Sequence, residues 1–379
     1  GRGTLRAPPG RVPRDGSPGE AEAWPAGPGV QAAWKRTVAR APATGDPCDA
    51  GTLRGGKALR VLVYGAGAVG LGLASALLVS GVRVALVARP ATVRALRARG
   101  LRRSGLLGEA RHPPEAFDIA PTLAELPGPP ADAALVATKS FDVEGAAREL
   151  ASEGRMLRSE APVVLCQNGW GQAEPAARLL GTKRVFCARV ITGFRRPEPD
   201  HVEVTAHAEP VRMGSLFGED ASRLEALCAA IARGGIPCEP SPDVAADLLA
   251  KLLYNATLNP LGAILGVPYG ALAREADGRR LLARTARETF AAIRAAGLAT
   301  HWSTAEAWLE DFFERLLPPT AGHESSMLQD LRAGRRTEID AISGAVVRMA
   351  EANGVAVPVT QALFAMVRLL ESQGRRDRP

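Results

Sequence analysis

The chain has 379 residues, enough for about two domains with sizeable cores, and only 4% are aromatic, so Leu, Val and Ala must do most of the packing. The formal charge is +7 and the pI near 9.5, yet the basic residues are scattered arginines among acids, with no stripe interleaved with aromatics. That argues against a nucleic-acid footprint and leaves a tilt toward anionic small molecules. Residues 1–57 are crowded with Pro and Gly, lack a hydrophobic period, and are expected to form a disordered extension outside the fold. From 58 to 242, strand-like runs at 61–64, 82–87, 133–137, 163–166 and 185–190 alternate with helical stretches. Such alternation implies a mainly parallel, doubly wound sheet, here a Rossmann-like α/β domain. From 243 to 379 the pattern is helical, with apolar spacing over 243–258, 278–296, 303–316, 336–353 and 358–372, so an all-α domain follows and a cleft lies between the two. Ser303 with Glu306 reads as a capping box, and Asn353-Gly354 as a helix stop. The apolar stretch 69–87 contains glycines, Ser80 and Arg83, which fit a helix, turn and strand rather than a membrane span.

The most informative segment joins the first strand to the first helix: Gly65-Ala66-Gly67-Ala68-Val69-Gly70. In a G-x-G-x-x-G loop the first glycine permits a tight turn and the second lets backbone approach a pyrophosphate. The third lets helix and strand pack closely, and the helix N-terminus offers unpaired N–H groups to the phosphates. The second strand ends at Ala88-Arg89, where a coenzyme with a free ribose 2′-OH would require Asp or Glu. Arg89 instead offers a fork of donors suited to a 2′-phosphate, which selects NADP over NAD. Two further strand-end motifs, Thr138-Lys139-Ser140 and Gln167-Asn168-Gly169, lie where ligands bind in such sheets.

In the helical half, Lys251, Asn255 and Asn259 recur every four residues and fall within an arc of roughly 80°. Leucines surround the lysine. The stripe reads either as a structural polar seam or as the wall of a cleft, where desolvation lowers the lysine pKa and lets it protonate an alkoxide. The five cysteines, Cys48, Cys166, Cys187, Cys228 and Cys238, show no metal-ligand spacing and no disulfide framework, which fits a reducing, cytoplasmic setting without a metal site. Cys166 reads as an apolar filler. His112, His201, His207, His301 and His323 fall in no His–Asp relay and read as surface or hinge residues.

These residues carry a resemblance. The glycine loop with Arg89, Gln167-Asn168-Gly169, Lys251-x3-Asn255-x3-Asn259-Pro260-Leu261, and Ser325-Ser326-Met327-Leu328-Gln329-Asp330 followed by Thr337-Glu338-Ile339-Asp340 look like ketopantoate reductase, also called 2-dehydropantoate 2-reductase. The match runs from about residue 59 to 372, in the family's order. The resemblance implies a C-terminal domain like that of 6-phosphogluconate dehydrogenase. It also implies reduction of a 2-oxo acid, 2-dehydropantoate, to (R)-pantoate by NADPH, a step toward pantothenate. By position, Gly65, Ala66, Gly67, Ala68, Val69, Gly70, Arg89 and Lys139 would hold the coenzyme, with Lys139 joining Arg89 near the 2′-phosphate. Asn168 would lie beside the nicotinamide and touch substrate, and Glu338 would stand at the coenzyme–substrate junction. Lys251 matches the proton donor, and Asn255, Asn259 and Ser326 match substrate binders. The implied partner is a small-molecule 2-oxo acid, with no nucleic acid or membrane, and a homodimer is compatible. Three positions depart from the family: Tyr269 stands for a substrate-contacting Asn, Ser343 for a frequent Asn, and Phe194 for a small residue near the coenzyme. Rival readings are a related dehydrogenase of another 2-oxo acid, hydroxy acid or opine, and a non-catalytic NADP-binding sensor. A sensor needs the glycine loop but not Lys251, Asn255, Ser326 and Glu338, which are all present.

Overall fold

The structure, a computed structural model, describes residues 52–53 and 57–376. All of them belong to one compact unit. Most of the extension expected to be disordered lies outside the described residues. At its end, however, β1 (Thr52–Leu53) pairs antiparallel with β2 (Lys57–Ala58).

The apolar runs form the expected sheet. β3 (Arg60–Tyr64), β4 (Arg83–Val87), β7 (Phe117–Ala120), β8 (Ala133–Val136), β9 (Val163–Leu165) and β10 (Val185–Arg189) are parallel, in the spatial order β7-β4-β3-β8-β9-β10. β13 (Val211–Gly214) then joins β10 antiparallel, and β14 (Cys238–Pro240) closes the edge parallel to β13. The strands are buried on both faces, which is why they read as continuous Val/Leu/Ala runs. Chain order reverses between β3 and β8, and the crevice at their carboxyl ends is the place for a ligand. The segment 69–87 is α1 (Ala68–Val79) followed by β4, packed inside this layer.

A second sheet has no clear signature in the sequence. β5 (Leu101–Gly105), β6 (Ala110–His112), β11 (Gly193–Glu198) and β12 (His201–Ala206) form a four-stranded mixed sheet, ordered β11-β12-β5-β6, that packs on α1. Its strands are short and rich in Arg, Glu and His, because one face stays wet. Phe194 lies here. Its ring fills the space above Gly72 of α1, where a Cβ would come within 2.3 Å, so it packs against the core instead of lining the coenzyme crevice.

The helical part begins with α6 (Val244–Leu265), after α2 (Pro90–Arg99), α3 (Val143–Ser152), α4 (Ala173–Leu180) and α5 (Glu225–Arg233) have flanked the strands. The sequence pattern ends this helix at 258, but it runs through Pro260 to a left-handed Gly266. Burial of Ala256, Leu258, Leu261 and Ala263 outweighs the roughly 3 kcal/mol cost of an internal proline. Among the described residues α6 alone is long and apolar enough to cross a membrane, yet it is mostly buried as the central helix of this half. Around it pack α7 (Tyr269–Leu272), α8 (Ala276–Ala295), α9 (Ala305–Asp311), α10 (Ser326–Arg332), α11 (Ser343–Ala352) and α12 (Pro358–Arg376).

Two helix starts differ from expectation. Thr304, not Ser303, caps α9 through its hydroxyl to Ala307 N at 3.1 Å, while Glu306 pairs with Arg287. The predicted helix over 336–353 starts only at Ser343. Residues 336–342 form tight turns, in which Thr337 Oγ1 accepts Ile339 N and competes with helix formation.

Asp247 fixes the angle at which α6 meets the sheet. Its side chain is fully buried and accepts from Arg212 Nη1 at 2.9 Å, Ser241 Oγ at 2.7 Å and His301 Nε2 at 3.0 Å. Burial opposes its charge, but these donors together hold the carboxyl below its ordinary range. His301 is exposed, as expected of a surface residue, yet it also bonds this aspartate. Replacing Asp247 with Ala leaves Arg212 to Glu239 alone and removes the acceptor of Ser241 and His301, and chemical denaturation is expected to show a loss of about 1–3 kcal/mol.

Candidate active site

The glycine loop separates what the protein needs from what a ligand would need. Gly65 has φ +105°, and a Cβ there would sit 2.8 Å from Thr138 N; at Gly70 a Cβ would sit 2.0 Å from Gly65 O. Both glycines are demanded by the fold. Gly67 is not: its added Cβ would make only an ordinary 3.7 Å contact with Ala137 O. What Gly67 leaves open is the space above the N-terminus of α1, where the N–H groups of Ala68, Val69 and Gly70 begin the helix without carbonyl partners one turn back. The loop therefore fits a pyrophosphate.

Beside it, Ala88 and Arg89 follow β4, and no acid takes the ribose position. Arg89 is exposed at the N-cap of α2. Sequence reasoning missed Arg196, on β11, whose Nη1 donates to Ala66 O at 2.8 Å. Nothing in the scattered arginines marked it beforehand.

Lys139 lies at the seam between the sheet and the helices. Its ammonium bonds Asp330 Oδ2 at 2.6 Å and stands 3.9 Å from Glu338 Oε2. Asp330, nearly buried, also accepts from Arg335 Nε at 2.9 Å. The motif containing Asp330 was visible in the sequence, but its task as an anchor for Lys139 was not.

Glu338 gathers the other side of the crevice. One carboxylate oxygen accepts from Ser140 N at 2.9 Å and the other from Asn168 Nδ2 at 3.0 Å. The tight turns at 336–342 make this reach possible; a helix there would carry Glu338 elsewhere. Gly169 marks how closely the layers approach, since a Cβ on it would lie 2.2 Å from Ala341 O. Gln167 braces the strand ends by donating to Val136 O and Thr138 O.

Lys251 projects from α6 into this junction and donates to Val190 O, the carbonyl just past β10. Its enclosure lowers the ammonium pKa to about 8, while the Glu338 charge pushes it back up and Arg189 lowers it further. Cys166 lies nearby as an inert filler, its thiol pushed up to about 12 by burial. The polar stripe of α6 thus belongs to the seam between the two layers, one end facing the sheet's strand ends.

Asn255 and Asn259 continue the stripe and are both buried. Asn259 Oδ1 accepts from Tyr269 OH at 2.6 Å, so the departing tyrosine binds the adjacent amide. Ser343 is also buried, and its hydroxyl has no hydrogen-bond partner. Ser326 is exposed at the start of α10, which Ser325 caps by accepting Leu328 N. The histidines stay outside this group: His112 bonds Ser75, His201 bonds Ser104, His207 bonds Thr192, and His323 packs its ring on Tyr269. Among the described residues no cluster of His, Cys, Asp or Glu could hold a metal.

A glycine loop at the switch point of a doubly wound sheet, with a half-buried lysine and a line of amides at the seam beside it, defines a nicotinamide-dependent oxidoreductase. The chain matches the family described as ketopantoate reductase PanE/ApbA over residues 61–217 and that family's C-terminal domain over 243–371. It is 32% identical over 320 residues to 2-dehydropantoate 2-reductase of Aquifex aeolicus, covering 84% of this chain and 99% of that protein. The crystal structure of a PanE/ApbA family ketopantoate reductase from Ralstonia eutropha superimposes with TM-score 0.72 at 30% identity, over 84% of this chain and 100% of the other. That of 2-dehydropantoate 2-reductase from Geobacter metallireducens gives TM-score 0.74 at 27% identity, over 82% and 99%. The chain belongs to the ketopantoate reductase family.

Proposed function

We propose that this chain reduces 2-dehydropantoate to (R)-pantoate with NADPH, a step toward pantothenate, and does so in the cytoplasm. The observation that carries the mechanism is the Lys251 ammonium, half-buried at the seam, bonded to Val190 O and within the field of the Glu338 charge. A reduced nicotinamide, when bound, supplies the hydride for the 2-oxo carbon. The chain does the rest. The loop of Gly65, Ala66, Gly67, Ala68, Val69 and Gly70 takes the pyrophosphate on backbone N–H groups, and Arg89 takes the 2′-phosphate. Asn168, oriented by Glu338, borders the reacting carbon. Lys251 gives its proton to the oxygen that gains charge, while Asn255, Asn259 and Ser326 hold the substrate's carboxylate and hydroxyl groups. Lys139, tied to Asp330, positions the coenzyme side of the seam. Residues 58–242 would act as the coenzyme domain and 243–379 as the substrate domain, closing over the reactants to exclude water.

The test is NADPH oxidation measured across a panel of 2-oxo acids that includes ketopantoate. Turnover with none of them would overturn the reading. A second reading, reduction of a related 2-oxo acid, is favoured by one observation: Tyr269 OH occupies Asn259 Oδ1. The same panel decides between them, since another acid would then show the higher kcat/KM. For the coenzyme, Arg89→Ala is expected to weaken NADPH roughly tenfold or more while leaving NADH little changed, as read by equilibrium titration. Equal loss of both would remove Arg89 from the 2′-phosphate site.

A further inference from the structure

Arg196 sits at an irregularity in β11. Arg195 pairs with Glu203 and Glu198 with His201, so Arg196 and Pro197 oppose the single residue Val202. Such a bulge re-aims a side chain. Arg195 turns to Glu203 on the neighbouring strand. Arg196 turns the other way, across the glycine loop: one nitrogen, Nη1, donates to Ala66 O at 2.8 Å and Thr92 Oγ1 at 3.4 Å. Thr92 stands in the first turn of α2, and its N–H bonds Arg89 O at 2.9 Å. The guanidinium therefore spans the gap between the glycine loop and the helix start that carries Arg89.

Both partners of Arg196 are neutral oxygens, and both are met by Nη1. The Nε and Nη2 donors, the edge that matches two phosphate oxygens, keep no partner among the described residues. Arg196 as a residue is exposed, although its guanidinium is partly enclosed where it meets Ala66 and Thr92. Partial burial, then the charges of Arg89 and Arg335, hold its guanidinium below the ordinary range, so cations crowd this corner. Asp330, the acid that pairs with Arg335, is already shared with Lys139. A corner with surplus positive charge and a free guanidinium fork is incomplete without an anion.

We propose that Arg196 is a second coenzyme-specificity residue, binding the ribose 2′-phosphate from the glycine-loop side while Arg89 binds it from the α2 side. The inference rests on the NADPH reading above. It also assigns a task to the small second sheet, which delivers one arginine to a site otherwise built from the large one.

The experiment is calorimetric titration of the full chain with NADPH, NADH, 2′,5′-ADP and 5′-ADP. Arg196→Ala is expected to weaken NADPH and 2′,5′-ADP roughly tenfold or more, with NADH and 5′-ADP changed by less than about twofold. Arg195→Ala, which breaks only the pair with Glu203, serves as control and should leave all four unchanged. If thermal melting shows that Arg196→Ala does not fold, Arg196→Gln is read instead, because its amide can still donate to Ala66 O. Equal loss for ligands with and without the 2′-phosphate, or no loss, overturns the proposal. A wild-type chain that binds NADH as tightly as NADPH overturns the coenzyme reading and this inference together. A wild type that prefers NADPH, with a variant that loses both equally, overturns this inference alone.

Discussion

Replacing Lys251 with Ala is expected to lower kcat by roughly 10²–10⁴-fold while NADPH titration stays near the wild-type value. The loop proposed to take the coenzyme is built from other residues, so the two measurements separate. The pH profile gives the same test without mutation. Burial lowers the ammonium to about 8. A proton donor must be charged before it acts, so kcat/KM for reduction should be flat below about pH 8 and fall tenfold per unit above it. Oxidation of the hydroxy acid needs the neutral amine and should rise through the same region. A profile that stays level from pH 7 to 10, or a Lys251→Ala enzyme of unchanged turnover, would remove this lysine from the chemistry.

Glu338→Gln is the second variant with a large expected effect. The carboxylate accepts Ser140 N and Asn168 Nδ2, and its charge raises the Lys251 pKa against burial. Glutamine can accept one of those bonds but carries no charge. Two changes should appear together: a fall in kcat on the order of 10²-fold as Asn168 loses its anchor, and a shift of the alkaline limb to lower pH. The direction follows from the sign. Removing a nearby negative charge makes the ammonium easier to deprotonate. A limb that stays in place while kcat falls would make Glu338 a structural brace only.

The Asp247 network extends the same logic to stability. Its folded carboxyl is held below the ordinary range, so the stabilisation it brings is present above its unfolded pKa, near 4, and is lost as pH falls through the folded value. That acid lability arises where α6 is tied to the sheet.

Much of this was legible in the residues themselves. Apolar runs with a period change from strand to helix gave the doubly wound sheet, because strands buried on both faces must be apolar throughout. The glycine loop was legible as a pattern, although only Gly70 answers a clash close by in the chain, with Gly65 O; Gly65 is set against Ala137 and Thr138 at the end of the neighbouring strand. The spacing of Lys251, Asn255 and Asn259 placed them on one helix face by geometry alone. The second sheet was not legible, since short, half-wet strands rich in Arg and Glu carry no strong period.

The sequence by itself determined most of the elements, the glycine-loop motif and the polar stripe on α6, because each is a pattern carried within a short stretch of chain. Tertiary structure alone decided the rest. Thr337 favours the turns at 336–342 locally, but only the fold brings Glu338 to Ser140 and Asn168, 198 and 170 residues away along the chain. Phe194 packs on Gly72 and not in the crevice, Tyr269 finds Asn259, and Arg196 reaches Ala66. Each depends on which surfaces the fold brings together, and no local spacing encodes that.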